Sequence, residues 1–176
     1  MPKAPITLTT DFGLADHYAA TMKGVIASIA PGTPVIDITH GIAPYAVLEG
    51  GFTLAQAYKF FPKSTVHVAV VDPGVGTTRR PILVEAAGQY FIGPDNGIFS
   101  FLYAREKHSV RAITNEKFML NNRSNTFHGR DIFAPCAAYL AKGAKPAQFG
   151  KLIHDATLLS NLTPVRMGKR VWTGTV

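Results

Sequence analysis

Residues 66–76 read VHVAVVDPGVG, an almost wholly apolar run that breaks into an acidic, glycine-containing turn. Residues 66–71 are apolar at nearly every position, which is typical of a strand whose two faces are both covered by helices. Asp72, Pro73 and Gly74 interrupt the run and predict a loop at its carboxyl end. We therefore expect residues 66–71 to form the central strand of a largely parallel sheet.

Strands and helices alternate along the chain before this central strand. Residues 6–10 and 35–39 are short β-rich runs. Apolar residues recur at helical spacing in residues 18–29 and again in residues 47–58, so one predicted helix follows each run. Strands joined by helices in this order predict a parallel sheet with helices packed on its faces.

The elements after the central strand combine further strands with one more helix. They are predicted as strands at residues 82–84, 90–92 and 110–113 and a helix at residues 131–142. Ala87-Gly88 lies between the first two of these strands and predicts a hairpin turn. For residues 1–163 the pattern predicts an α/β domain, a three-layer α/β/α sandwich with a mostly parallel central sheet.

A new β pattern begins within residues 164–176, after a loop, and stops in the middle of a strand. No turn or polar tail closes it. We therefore expect residues 164–176 to be a linker and the first strand of a C-terminal β domain that is missing from the chain.

Composition restricts the classes of protein to which the chain can belong. Of its 176 residues, 47% are apolar and 16% are charged, which suits one compact domain with a sizeable core and excludes a coiled coil or a disordered tail. The net charge is +7, but the basic residues are dispersed without an interleaved aromatic stripe. We therefore expect a solvated basic face and no nucleic-acid partner.

The sequence also bears on the location of the protein. It has neither an apolar run of membrane-spanning length nor the apolar core of a signal peptide near its amino terminus. Its single cysteine, Cys136, cannot form an internal disulfide and lies among small residues, which predicts a core residue rather than a nucleophile. We expect a soluble cytoplasmic protein that does not bind membranes.

Two aspartates occupy the place where ligands bind in open α/β sheets, the carboxyl ends of the strands. Asp11 follows the first strand and Asp72 follows the central one, and each precedes a glycine-containing loop that lets backbone approach a ligand. Position alone leaves a second interpretation with equal weight, in which both aspartates only form turns or cap helices.

A further cluster of polar side chains lies at residues 126–131, TFHGRD, at the entry to the last predicted helix. Asp131 is expected to cap that helix. A histidine beside an aromatic residue is in isolation more often structural, but the charged neighbours of His128 shift the interpretation toward a functional site. Residue types that bind metals occur at Asp11, Asp72, Asp95, His40 and His128. Because these residues lack the spacing of a ligand motif, we expect no metal site.

Five motifs in order carry a specific resemblance to a known family. They are residues 10–13 (TDFG), 22–24 (MKG), 68–76 (VAVVDPGVG), 93–97 (GPDNG) and 126–135 (TFHGRDIFAP). On these motifs the chain resembles the S-adenosylmethionine hydroxide adenosyltransferases, also called S-adenosylmethionine hydrolases, which are relatives of the fluorinating and chlorinating enzymes. Five motifs in one order are far more specific than a lone glycine pattern.

The resemblance implies a catalytic set and a reaction. The set matches Asp72, Arg79 and His128. A water-derived oxygen would attack the ribose C5′ of S-adenosyl-L-methionine, and methionine would leave from the sulfonium, to give adenosine and L-methionine. Asp72 and His128 would orient and deprotonate the water, and Arg79 would stabilise its hydroxide character. The proton acceptor is left open between Asp72 and His128, and no cofactor or metal is implied.

The same resemblance implies substrate-binding residues and an assembly. Asp11 matches the aspartate that binds the ribose hydroxyls, Asp16 matches one that helps to hold the methionine end, and Tyr45 stands where an aromatic ring packs on the ligand. Family members continue into a C-terminal β-barrel-like domain that supplies adenine contacts to a neighbouring subunit of a homotrimer. Without that domain, the alternative function is a noncatalytic adenosyl-ligand-binding module.

A halogenase is the remaining alternative, and the residues at three positions are evidence against it. The halogenating relatives carry a tyrosine at the position of Asp72, a threonine at that of Val75 and a serine at that of Gly129. The Asp72 carboxylate would also repel a halide ion. The resemblance therefore favours the hydrolase.

Overall fold

The computed structural model describes residues 4–160, 162, 165–170 and 172–173. Its strands are β1 (Ile6–Thr10), β2 (Val35–Thr39), β3 (Val66–Val70), β4 (Pro81–Ala86), β5 (Gln89–Pro94), β6 (His108–Ala112), β7 (Leu152–Ile153), β8 (Val165–Arg166) and β9 (Trp172–Thr173). Its α-helices are α1 (Tyr18–Ile29), α2 (Val47–Ala57), α3 (Ser100–Tyr103) and α4 (Ala134–Ala141). A π-helical turn, Gly129–Phe133, precedes α4, and 3₁₀ turns lie at Tyr58–Phe60, Glu116–Phe118 and Pro146–Gln148.

Strands β1 to β7 form one mixed sheet in the order β2-β1-β3-β5-β4-β6-β7. β2, β1, β3 and β5 run parallel to one another. β4 is antiparallel to both of its neighbours, and β6 is antiparallel to β7. β3 therefore lies inside the parallel part, between β1 and β5, and all of its residues are buried. This confirms the central strand predicted from its unbroken apolar run.

Alternate residues of β3 contribute to two separate hydrophobic cores, one on each face of the sheet. Val68 and Val70 belong to the core that contains Met22 of α1, and Ala69 belongs to the core that contains Leu54 of α2. α1 packs against α4 on the first face, and α2 packs against α3 on the second. The three-layer α/β/α sandwich is therefore confirmed.

The hairpin between β4 and β5 turns at Ala87-Gly88, as predicted. Both residues have positive φ, 54° and 73°, which is the conformation of a two-residue type I′ turn. β5 then runs parallel to β3. The loop after β5 therefore lies at the same edge of the sheet as the loops after β1 and β3.

The last helix begins differently from the prediction. A π-helical turn replaces its first turn, and Asp131 lies fully buried inside that turn. The Asp131 carboxylate accepts a hydrogen bond from the backbone N–H of Ser124 at 2.8 Å and pairs with Arg130. The expectation that Asp131 caps the helix is therefore wrong, because its carboxylate is hydrogen-bonded to the preceding loop instead. Gly143, with a φ of 99°, follows the helix end and is compatible with the left-handed conformation that often ends a helix.

Cys136 is completely buried in α4, and its Sγ lies 3.4 Å from the carbonyl oxygen of Phe118, to which it donates. Burial raises the pKa of this thiol, which keeps it protonated and unreactive. The prediction of a core residue is confirmed. No helix within the described part of the chain has the length and apolar character needed to cross a lipid bilayer.

The carboxyl-terminal residues that the structure describes form a separate small sheet. β8 pairs antiparallel with β9, with Val165 opposite Thr173 and Arg166 opposite Trp172. The predicted domain boundary at residues 163 and 164 lies outside the described residues. The linker and C-terminal domain therefore stay a prediction.

Candidate active site

A cavity of about 230 Å³ opens where β1 and β3 end. Its wall is formed by the loops after β1, β2 and β3 and by the segment that leads into the π-helical turn. The lining residues are Asp11, Phe12, Pro44, Tyr45, Val70, Asp72, Val75, Thr126, Phe127, His128 and Gly129. Sequence positions more than 110 residues apart thus meet at the edge where the α/β fold predicts a ligand.

Asp72 and Arg79 form a buried ion pair at this cavity. The Arg79 Nε donates to the two Asp72 carboxylate oxygens at 3.0 and 2.9 Å, and its Nη2 donates to Oδ2 as well. Only 5% of the Asp72 side chain and 8% of the Arg79 side chain are exposed. The interpretation of Asp72 as a mere turn former is therefore excluded, because its carboxylate is committed to a buried cation.

The loop that returns Arg79 to Asp72 requires glycine at one position. Gly76 has a φ of 78°, and a Cβ added there would lie 2.4 Å from the carbonyl oxygen of Asn125. The β3–β4 loop thus packs directly against the segment that carries His128. This contact explains how two loops distant in sequence share one site.

His128 completes a linear chain of three polar side chains. The Arg79 Nη2 lies 2.7 Å from the His128 Nδ1. Because a guanidinium only donates, Nδ1 must be the acceptor, and the neutral imidazole then carries its proton on Nε2. Burial and the positive charge of Arg79 both lower the pKa of His128, which favours this neutral form.

The Arg79 guanidinium has one further contact and one donor without a partner among the described residues. Its Cζ lies 5.2 Å from the centre of the Phe133 ring, within range of a cation–π contact. Its Nη1 is buried and makes no hydrogen bond with the part of the protein that the structure describes. The guanidinium therefore retains one buried donor that a small polar molecule, such as water, could satisfy.

Asp11 and Tyr45 line the cavity from the opposite side. The Asp11 Oδ2 accepts the backbone N–H of Tyr45 at 2.9 Å, which ties the loop after β1 to the loop after β2. Tyr45 has a positive φ of 66° and leaves 70% of its surface exposed. Its ring is thus free to pack on a ligand.

Arg79 is not part of the cavity lining but bonds directly to Asp72 and His128, whereas Asp16 lies apart from the cavity. Its Oδ1 accepts the backbone N–H of Tyr18 at 3.0 Å, at the amino-terminal end of α1. It is exposed and does not line the cavity. Its role at the methionine end of a ligand stays a prediction.

An apolar wall beside His128 was not assigned from the sequence. Phe12 and Phe127 meet edge to face at 5.8 Å, and Tyr18 meets Phe127 in the same way at 4.7 Å. Both phenylalanines stand inside motifs already quoted, next to Asp11 and His128, and that adjacency is the signal that could have identified them. Such a wall suits the apolar parts of a ligand.

The charge argument against halide needs a correction. Because Arg79 neutralises Asp72 within a buried pair, the carboxylate does not by itself repel an anion. Packing around Gly129 is the stronger argument. A Cβ there would lie 3.2 Å from the Met22 Sδ and 3.2 Å from ring atoms of Phe12 and Phe127, so the serine of the halogenating relatives is crowded here.

The residues of metal-binding type do not form a ligand cluster in the described part of the chain. Among the residues that the structure describes, no three His, Cys, Asp or Glu side chains are grouped as ligands. Asp95 is paired with Arg80, and His40 is hydrogen-bonded to Thr10.

Comparison with known proteins gives the chain its family. Residues 6–150 match the SAM hydroxide adenosyltransferase N-terminal domain. A protein named (R)-S-adenosyl-L-methionine hydrolase from Salinispora tropica is 46% identical over 167 residues, which cover 93% of this chain and 63% of that protein. A protein of the same name from Thermus thermophilus is 38% identical over 164 residues, covering 88% and 63%. A fluorinase from Actinoplanes is more distant, 26% identical over 185 residues that cover 90% and 61%.

A solved structure agrees with this assignment. The crystal structure of an uncharacterized conserved protein from Thermotoga maritima matches with a TM-score of 0.88 at 39% sequence identity, over 92% of this chain and 63% of the other. The chain thus spans less than two thirds of the length of these relatives. The family match extends over most of the chain and confirms the resemblance of the five motifs. The chain belongs to the SAM hydroxide adenosyltransferase family and carries the N-terminal domain of that family.

Proposed function

We propose that the chain carries the catalytic residues of an S-adenosyl-L-methionine hydrolase that forms adenosine and L-methionine. The observation that carries the proposal is the chain of side chains Asp72–Arg79–His128 beside the cavity. The names of the relatives at 38% and 46% identity support the same substrate and reaction.

The reaction balances without a cofactor. The oxygen of one water molecule forms a bond to the ribose C5′, and the C5′–sulfur bond breaks with its electron pair going to sulfur. The sulfonium becomes the neutral thioether of methionine, and the water loses one proton. Because the sulfonium is already a good leaving group, the enzyme has mainly to hold water in line behind C5′. Such positioning supplies roughly 7 to 11 kcal/mol in favourable intramolecular cases.

We propose different tasks for the three residues, and the geometry supports each of them. His128 presents a donor at Nε2, because its Nδ1 is occupied by Arg79, so it orients water and does not accept the proton. Asp72 is the anionic group of the set and takes the proton in this account. Arg79 holds both partners in place, and its positive charge stabilises the oxygen as hydroxide character develops.

Substrate binding is proposed for the other residues of the cavity wall. Among the described residues, Asp11 accepts a single side-chain hydrogen bond, at Oδ2, which leaves Oδ1 for a ribose hydroxyl. The exposed ring of Tyr45 and the rings of Phe12 and Phe127 cover apolar parts of the ligand. To contact Asp16, the methionine end of the substrate would have to extend outside the cavity.

The assembly and location belong to the same proposal. In the full-length protein, we propose a cytoplasmic homotrimer in which the C-terminal domain of one subunit supplies adenine contacts to the next, with no nucleic acid and no membrane as partner. Light scattering on the full-length protein would test this assembly. A mass other than three times that of the monomer would contradict it.

Product analysis tests the reaction. Purified protein is incubated with S-adenosyl-L-methionine, and adenosine and methionine are quantified by chromatography with mass detection. We expect the two products in equal amounts from the wild type and none above background from Asp72→Asn. A protein that retains the ligand unchanged would support the binding-only function, and a 5′-halogenated product in the presence of chloride or fluoride would support the halogenase.

A further inference from the structure

The buried histidine His40 lies at the carboxyl end of β2 and does not line the cavity. Only 4% of its surface is exposed. It contributes to no metal cluster among the described residues and to no step of the proposed reaction. A buried imidazole that is neither ligand nor acid–base group needs another explanation.

One hydrogen bond and one ion-pair contact join His40 to β1 and β2. Its Nδ1 lies 2.8 Å from the Thr10 Oγ1, and its Nε2 lies 3.1 Å from the Asp37 Oδ1. The Thr10 Oγ1 already accepts the backbone N–H of Phe12 at 3.2 Å, so its own proton is available for the imidazole. His40 then accepts at Nδ1, and its Nε2 faces the Asp37 carboxylate without forming a hydrogen bond within the described residues.

Asp37 forms the outer end of this set of contacts. Burial alone would raise the pKa of Asp37, but the hydrogen bond from Lys23 and the nearby imidazole of His40 outweigh burial and lower it. The Lys23 Nζ lies 2.5 Å from the Asp37 Oδ2. Asp37 therefore stays an anion that attracts the His40 Nε2–H.

The backbone around His40 joins the same two loops. The carbonyl oxygen of His40 accepts the N–H of Gly13 at 2.8 Å. Asp11 lies between Thr10 and Gly13 and accepts the N–H of Tyr45 at 2.9 Å. The His40 side chain and carbonyl thus hold both sides of the short segment that carries Asp11 and, through Asp11, the loop that carries Tyr45.

We infer that His40 is a positioning residue, which sets the orientation of Asp11 and Tyr45 toward an adenosyl ligand through its bond to Thr10. The inference rests on the proposed function, in which Asp11 and Tyr45 contact the ligand. His40 contributes to substrate binding and not to the chemical step, because Asp72, Arg79 and His128 are held by contacts of their own. Its loss is therefore expected to affect substrate binding far more than the chemical step.

The same strand provides a matched control. Thr7 of β1 is fully buried and lies 2.7 Å through its Oγ1 from the Nδ1 of His67, which is also fully buried. This threonine–histidine bond has the same chemistry as the one at Thr10, but it lies at the other end of the strand. Thr7→Val and Thr10→Val each leave one imidazole nitrogen without its partner, so a purely structural role would affect both variants alike.

Amide hydrogen exchange on the ligand-free protein tests the positioning directly. Relative to wild type, Thr10→Val is expected to speed exchange at the amides of Gly13 and Tyr45 by about ten-fold, whereas Thr7→Val leaves both rates unchanged. Thr10→Ser keeps the hydroxyl and is expected to restore them. Asp37→Ala alters only the outer, partly exposed end of the chain, so it gives the same test if Thr10→Val does not fold. Unchanged Gly13 and Tyr45 rates in both Thr10→Val and Asp37→Ala, or equal acceleration by Thr7→Val, would overturn the inference.

Steady-state kinetics with S-adenosyl-L-methionine supplies the functional readout. We expect Thr10→Val to raise KM by about three- to ten-fold with kcat within about two-fold of wild type, as for the loss of a buried hydrogen bond that supports binding. A loss confined to kcat would overturn the inference. Wild-type protein that forms no adenosine would refute the proposed function alone, because the exchange rates do not depend on turnover.

Discussion

Replacing Asp72 by asparagine removes one charge from the buried ion pair while keeping the shape of the side chain. Arg79 would then be a buried cation without a counterion, since 8% of its side chain is exposed and its other partner is the neutral His128. Breaking a buried pair on one side costs about 3–5 kcal/mol of stability. That is a large part of the roughly 5–15 kcal/mol that stabilises a typical domain. We therefore expect Asp72→Asn to fold with a clearly reduced free energy of unfolding.

Asp95→Asn is the matched control for this prediction. Asp95 is equally buried and pairs with Arg80, the next residue after Arg79, but it lies outside the cavity. Arg80 is 36% exposed and keeps a second partner in Asp155, so the loss of stability should be smaller, about 1–3 kcal/mol.

Urea unfolding and turnover, measured on the same preparations, separate stability from catalysis. At a temperature where both variants are folded, we expect turnover to fall by at least about 10²-fold in Asp72→Asn and to stay near wild type in Asp95→Asn. The reasoning is refuted if folded Asp72→Asn keeps most of its turnover. It is also refuted if Asp95→Asn loses as much turnover as Asp72→Asn.

Four further predictions can be tested, of which three concern histidines and one concerns a glycine. His128→Asn keeps an acceptor near the Nδ1 position, so urea unfolding should find it more stable than His128→Ala by about 1.5–3 kcal/mol; equal stabilities would contradict the bond to Arg79. Burial and Arg79 lower the pKa of His128. The pH at which kcat/KM falls on the acid side should therefore lie below the ordinary imidazole pKa, and a fall centred above that value would be inconsistent with a neutral His128. Burial lowers the pKa of His67 from 6.5 to about 4. As the pH falls, His67 is therefore protonated at a higher pH in the unfolded chain than in the folded one. The free energy of unfolding should consequently fall by about 3 kcal/mol as the pH drops through this range, a loss that should shrink in His67→Gln. Gly129→Ser should lower turnover without giving halogenated product, which mass detection would check.

The fold could be predicted from the sequence because its strongest signals are local. The apolar run of residues 66–71 required cover on both faces, and Ala87-Gly88 required a tight turn. The start of the last helix could not be predicted in the same way. The Asp131 carboxylate is bonded to Ser124 and Arg130, and a sequence pattern does not distinguish such a buried pair from a helix cap.

The candidate site was predictable in its residue types but not in its connections. Asp11 and Asp72 follow strands, and their convergence follows from parallel pairing. The bond from Arg79 to His128 joins residues 49 positions apart, and it decides which imidazole nitrogen can donate. Only the folded chain provides that information, because the contact depends on how two loops pack together.

Turnover in ¹⁸O-labelled water is the most direct test of the central claim, that water held by Asp72, Arg79 and His128 is the nucleophile at C5′. The protein is incubated with S-adenosyl-L-methionine in labelled water, and the adenosine is analysed by mass spectrometry. The account predicts one ¹⁸O atom in the 5′-hydroxyl of adenosine, and no such product from Asp72→Asn. Unlabelled adenosine, or labelled adenosine at wild-type rate from Asp72→Asn, would contradict it.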